Sequence, residues 1–296
     1  MDKRTRKDVK STLDRLSKGS TALDDAYKEA IQRIEGQLPG DYARAKQVLS
    51  WITYAQRPLT TAEICCALAV ELEEKELDQE NIPDLEDIVS VCAGLVTIDE
   101  ESNIIRLVHY TTQEYFERIR EEWNPTAQLE VTSTCLTYIS FNAFRSSSCL
   151  SDRELESRLE QNVFLDYAAR YWGQHAATVQ NQVYELACSF LLHSTLVSSA
   201  AQIMSVTGYK YPDYSKVYPR NTTGLHITAQ FGLNILLEGL LHELGGDTSF
   251  FISAKDSDGQ TPLYLAAEHG RKDMIHLLLD KGANINVQGG RYSNAL

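Results

Sequence analysis

Residues 258–283 read DGQTPLYLAAEHGRKDMIHLLLDKGA, and this stretch decides the architecture around it. Gly259 allows a tight turn. Thr261-Pro262 starts a helix, with proline at the first helical position, where an N–H would be unpaired in any case. Ala266 and Ala267 keep that helix thin enough for a neighbour to pack closely. Gly270 ends it. Met274, Ile275, Leu277, Leu278 and Leu279 then mark a second helix with a buried face, which Gly282 stops.

A neighbouring stretch repeats the pattern. Residues 222–241 read TTGLHITAQFGLNILLEGLL. Gly224-Leu225-His226 falls where Pro262-Leu263-Tyr264 falls, and Gly232 where Gly270 does. This copy is degenerate, with glycine in place of proline and Thr228 in place of the first alanine. The pattern resembles the ankyrin repeat, whose signature is T-P-L-H-x-A at a period of about 33. The offset here is 38 residues, so about five extra residues lie in the connection Glu243–Ser253. A third unit begins at Asn284-Ile285-Asn286, and the sequence stops at Leu296. About three units are needed to bury each other's apolar faces. The expectation is therefore a cut-off array: a fragment, a truncated gene product, or a short array propped against the preceding domain. The resemblance implies protein binding rather than chemistry.

The bulk composition is that of an ordinary globular chain. Of 296 residues, 43% are hydrophobic and 23% charged, and two to three domains are expected. The net charge of −13 is unevenly spread. Residues 2–18 hold seven Lys/Arg against three Asp, whereas residues 71–101 hold twelve Asp/Glu against one lysine, Lys75. So acidic a surface repels nucleic acid and anionic lipid. The basic start suits either an acidic partner or the solvated face of an amphipathic helix. No apolar run approaches the roughly 18 residues of a membrane span, and no signal peptide follows MDKRTRKDVK. Cys65, Cys66, Cys92, Cys135, Cys149 and Cys188 form no C-x-x-C and sit mostly in apolar helical patterns. They read as reduced core residues of a cytoplasmic protein.

Along the chain, residues 5–18 form an amphipathic helix with Val9, Leu13 and Leu16 on one face. A second runs from about Ser20 to Gln37 and is broken by Pro39-Gly40. Asp41 can cap the next helix, which carries Ala45, Val48, Leu49, Trp51 and Ile52. Thr60 and Glu63 form a capping box for another, burying Ile64 and Leu68. An acidic linker spans Glu71–Asn81. Pro83 begins a third helix, with Leu85, Ile88, Val89 and Cys92, and Gly94 ends it. Leu95–Ile98 and Ile104–Val108 read as a β-hairpin. Thr111 and Glu114 form a second capping box, opening a helix with Tyr115, Phe116 and Ile119. Three helices followed by a hairpin are the order of a winged helix.

Residues 125–205 are mostly helical, with helices around 129–139, 155–167 and 183–192. Phe164, Tyr167, Tyr171 and Trp172 could line a ligand box, but their helical spacing favours packing. Residues 206–223, with Tyr209, Tyr211, Tyr214 and Tyr218, read as an ordered loop between spacer and repeats.

The segments VLSWITYAQRPLTTAEICCAL and GLVTIDEESNIIRLVHYTTQEYF resemble the winged helix that follows the NACHT ATPase domain in fungal NOD-like receptor proteins with ankyrin repeats. Residues 5–37 resemble the helical end of the NACHT module, and QNVFLDYAARYWGQHA (161–176) resembles the helical spacer before the repeats. The resemblance implies a mostly α fold in four parts: residues 1–40 as the end of a NACHT-like module, 41–123 as the winged helix, 124–221 as the spacer and 222–296 as ankyrin repeats. Full-length members of the family look like nucleotide-driven switches. This sequence contains no G-x-x-x-x-G-K-[ST], which ATP binding requires. In some members a winged-helix histidine lies near the phosphates. His109, or Tyr110 beside it, admits that role, or His109 simply packs or hydrogen-bonds at a strand–helix corner.

No enzyme signature stands in its place: there is no H-E-x-x-H, G-x-S-x-G or dinucleotide fingerprint. No cofactor or metal is expected, and His269 and His276 lie across a helix break. DNA binding is disfavoured, because the third helix, PDLEDIVSVC, brings Asp84, Glu86 and Asp87 rather than Arg or Lys to a groove.

The expected function is non-enzymatic partner binding through the repeats. By the ankyrin motif, Ser257, Asp258, Gln260, Glu268, His269 and Lys281 form the contact surface, and Thr261, Pro262, Leu263, Gly270 and Gly282 shape the unit. Tyr264 replaces the histidine that bonds neighbouring turns in the family, which brings the rigidity of this turn into question. Two other readings stand beside it: a modulator docking in trans on an intact NACHT ATPase domain, and a broken gene fragment.

Overall fold

The computed structural model describes residues 20–206, 211–246, 248–287 and 289–290. The expected helix at 5–18, Tyr209 and the end of the third unit lie outside them. The described chain is mostly helical. It divides into two units, one running up to Leu68 and resuming over Pro83–Ala127, the other made of Ala69–Ile82 and the chain from Gln128 onward.

In the first unit Ala45, Val48, Leu49 and Trp51 form the buried stripe of α2 (Pro39–Tyr54). This central helix packs on α1 (Ser20–Glu35), α3 (Thr61–Leu68), α4 (Leu85–Val91) and α5 (Tyr110–Trp123). Pro39 does not merely break the preceding helix; it opens the next one at its first turn, and Leu38, not Asp41, is the N-cap. Proline's fixed φ suits that position, and its missing N–H has no partner there to lose. Asp41 sits inside the first turn, where a negative charge still favours the helix dipole.

The Thr60–Glu63 capping box is present and closed from both sides. The Glu63 N–H donates to Thr60 Oγ1 at 3.2 Å and the Thr60 N–H to Glu63 Oε2 at 2.9 Å. The second box is not. His109 is the N-cap of α5, its Nδ1 accepting from the Thr111 N–H at 3.2 Å. The helix therefore begins two residues earlier than a Thr111 cap requires, and Glu114 falls outside capping reach. The hairpin forms as β2 (Val96–Asp99) and β3 (Ile104–Leu107), antiparallel, with Ile98 opposite Ile105. A third strand, β1 (Leu59–Thr60), pairs with the other edge of β3, giving the order β1-β3-β2. Two residues after a proline carry no alternation from which a strand could be read. The third helix starts at Leu85, two residues past Pro83.

The second unit opens its run of helices with α6 (Ala127–Ile139), α7 (Asp152–Gln161) and α8 (Leu165–Ala176). The single helix read over 155–167 is two, parted at Asn162, whose side chain donates to the Arg158 carbonyl at 2.8 Å and closes α7. Phe164, Tyr167 and Trp172 are fully buried, and Trp172 meets Phe190 and Phe231 edge-on. These three are core, not a ligand box; Tyr171, the fourth of the set, is half-buried and lines a cleft. There follow α9 (Tyr184–Leu191), α10 (Ser194–Ser205), α11 (Gly224–Phe231), α12 (Asn234–Leu244), α13 (Ser249–Ile252), α14 (Pro262–Glu268) and α15 (Lys272–Asp280). First helices stack on first helices, α8 on α11 and α11 on α14. Second helices stack likewise, α9 on α12 and α12 on α15. In α15 only Met274 and Leu278 are fully buried; Ile275, Leu277 and Leu279 are half-buried. No single described helix is long and apolar enough to cross a membrane.

Candidate protein-binding surface

The turn before α14 is built around Asp256. Its Oδ1 accepts from the Asp258 N–H at 2.9 Å and the Gln260 N–H at 2.8 Å, and its own N–H donates to the Gln260 carbonyl at 3.0 Å. Gly259 completes the turn at φ 77°, a backbone region that glycine enters without strain. Thr261 caps α14, its Oγ1 accepting from the Tyr264 N–H at 3.2 Å. Burial holds the Asp256 carboxyl above the usual carboxylate range, although the two N–H donors pull the other way.

Successive turns are tied edge to edge. The Ser257 N–H donates to the Arg220 carbonyl at 2.7 Å, and the Arg220 N–H returns to Ser257 Oγ at 2.8 Å. On the other side the Gly290 N–H donates to the Asp258 carbonyl at 3.1 Å. Between turns stands His226, wholly buried. Its Nδ1 faces the Thr223 N–H at 3.2 Å, which leaves Nε2 to donate to the Gln260 carbonyl at 3.2 Å. Burial lowers its pKa to about 4, so the ring is neutral at pH 7, as this tautomer needs.

Tyr264 occupies the same place in the next unit and makes no such bond. Its ring is buried and its hydroxyl has no partner among the described residues. Gly290 lies against that ring so closely that a Cβ there would stand 2.5 Å from Cζ. The turn is held by Asp256 and by the Gly290–Asp258 bond instead.

The six residues expected to form the contact surface separate into three places. Ser257, Asp258 and Gln260 share one turn, the first two exposed and Gln260 half-buried. Glu268 and His269 are exposed at the end of α14, where His269 Nδ1 donates to the Leu265 carbonyl at 3.0 Å. Lys281 lies with the second helices, 3.8 Å from the Glu238 carboxylate of α12, away from the turn and from the end of α14. Asp256 escaped the sequence reading, although D-S-D-G is the spacing of an Asx-clipped turn. Arg271 escaped it too: it follows Gly270, and only the fold brings it across Gly232.

His109 is exposed at the β3–α5 corner, its ring tilted 38° to that of Tyr110 with centroids 4.4 Å apart. Among the described residues no three His, Cys, Asp or Glu gather as metal ligands. All six cysteines are free and buried, and burial pushes the Cys92 thiol up to about 12, far from thiolate chemistry.

Two family models match the chain. Residues 25–123 match the model described as GPI inositol-deacylase, winged helix domain, and residues 165–289 match the one described as ankyrin repeats, in three copies. No curated protein matches the chain. The chain thus carries a winged-helix domain of this type followed by ankyrin repeats. The ankyrin match begins on α8, inside the segment read from sequence as spacer. There Ala168, Ala169 and Gly173 play the thin-helix part, and the Phe231 ring lies directly on Gly173.

Proposed function

We propose that this chain is a non-catalytic binding module that holds a protein partner on the exposed turn and first-helix ends of its ankyrin repeats. The observation that carries the reading is the tied row of turns. Arg220–Ser257, His226–Gln260 and Gly290–Asp258 fix the backbone while the Ser257 and Asp258 side chains stay exposed. A rigid scaffold that presents exposed side chains binds at low entropic cost. The six buried cysteines, none in a disulfide, suit a reducing, cytoplasmic setting. The end of a NACHT-type receptor is the setting we favour for the module.

The test is a photo-cross-linking amino acid placed at Gln260 or Glu268, with Glu86 of the winged helix as control. Cross-linked protein is expected from the first two and not from the third. Asp258→Arg combined with Glu268→Arg should cut the yield about tenfold while the melt is unchanged, since reversing rim charges costs on the order of 1–2 kcal/mol. Cross-links from position 86 alone would move the site to the winged helix and favour docking on an intact NACHT ATPase domain in trans. The exposed His109–Tyr110 corner supports that second reading.

A further inference from the structure

We propose that the cleft walled by α8, α10, α11 and the α14–α15 junction is where the partner is gripped, and that it takes an acidic side chain flanked by an apolar one. This inference rests on the repeat-binding reading and names its place and chemistry. The cleft encloses about 250 Å³ and is lined by Tyr171, Gln174, Met204, Phe231, His269 and Arg271, with Arg170 at its wall.

Arg271 is the group that selects. Its Nε donates to the Gln230 carbonyl at 3.1 Å. Its methylenes run across Gly232, whose φ is 76° and whose absent Cβ would lie 3.0 Å from Cδ. The guanidinium is therefore set in place by the fold, while neither Nη has a partner among the described residues. A planar fork with two free N–H edges matches a carboxylate with two parallel hydrogen bonds. Because the arm is already ordered, little rotamer entropy remains to be lost on binding.

The second arginine is spent. Arg170 Nε holds Asp166 at 2.7 Å, and its Nη atoms hold the carbonyls of Met204 at 2.8 Å, Ile203 at 2.9 Å and Val206. It closes the end of α10 and leaves Arg271 to supply the cleft's uncompensated charge. His269 donates from Nδ1 to the Leu265 carbonyl at 3.0 Å. Phe231, packed on Trp172 and Gly173, provides an apolar floor. Glu268, next in sequence to His269, does not line the cleft.

The experiment uses the full chain and three fluorescein-labelled hexapeptides, Glu-Leu, Gln-Leu and Lys-Leu repeats, read by anisotropy. Saturable binding is expected for the Glu-Leu peptide, about tenfold weaker binding for Gln-Leu, and none for Lys-Leu. Arg271→Gln should lose about tenfold or more and Arg271→Lys less. Should Arg271→Gln fail to fold, amide shifts of the native chain on adding Glu-Leu peptide decide: movement at Tyr171, Phe231 and His269 supports the cleft, and movement confined elsewhere overturns it. Equal affinity for Glu-Leu and Gln-Leu peptides also overturns it. Cross-links from Gln260 with no effect of Arg271→Gln sink this inference and leave the repeat reading standing; Arg271-dependent peptide binding without such cross-links does the reverse.

Discussion

Gly224 stands where the ankyrin signature carries proline, and a close approach explains the change. A Cβ at this position would lie 2.5 Å from the Leu191 carbonyl oxygen, inside any van der Waals contact. Gly224→Ala should therefore destabilise the chain by about 1–3 kcal/mol, the range for overpacking, and lower the melting temperature by several degrees. An unchanged melt would show that Leu191 yields. His226 and His175 make a second prediction at this scale. Both are buried, and desolvation lowers each pKa from 6.5 to about 4. Below pH 6.5 the unfolded chain takes up protons that the folded chain refuses until about pH 4. Stability is thus full above 6.5 and falls as pH drops through that window, by about 3 kcal/mol per histidine. Asp256, with its raised pKa, acts in the opposite direction. Urea midpoints at pH 7 and pH 5 measure the fall, and equal midpoints would count against neutral buried rings.

Elements were legible where local chemistry is complete. The Thr60–Glu63 box could be read from spacing alone, yet its full strength could not. Glu63 is nearly buried and also binds Arg57 through two bonds, at 2.7 and 3.0 Å. Glu63→Ala removes the cap and the pair together and should cost about 1–3 kcal/mol, with Glu63→Gln in between. Differential scanning calorimetry of the two variants checks the order. The Thr111–Glu114 box satisfied the same spacing and failed, because His109 offered a cap two residues earlier and Thr111 turned its hydroxyl toward Tyr27. A capping pattern names candidates; the chain's entry direction chooses among them. Strand β1 and the break at Asn162 were hidden for a related reason. One is a two-residue strand made by its partner β3, and the other is a helix end made by a side-chain bond back to Arg158.

For the whole molecule, a winged helix ordinarily raises the question of DNA. Here α4 carries Glu86 and Asp87 in its first turn, with Asp84 as its N-cap, on a chain of net charge −13. Duplex DNA at 150 mM salt should show no binding in a gel shift up to about 10 µM protein, since α4 brings carboxylates rather than counterion-releasing cations to a groove. A complex at submicromolar protein would refute the electrostatic argument. The sequence by itself determined the order of domains, the repeat with its Thr-Pro start and glycine stops, and the identity of the buried aromatic core. Each of these is written in spacing along one chain. Only the tertiary structure decided how the turns are tied together, why glycine replaces proline at 224, and that Arg271 lies over Gly232 beside Phe231. Those facts depend on which atoms meet across 32 to 41 residues of sequence, and a periodic pattern says which face is buried without saying what will be found against it.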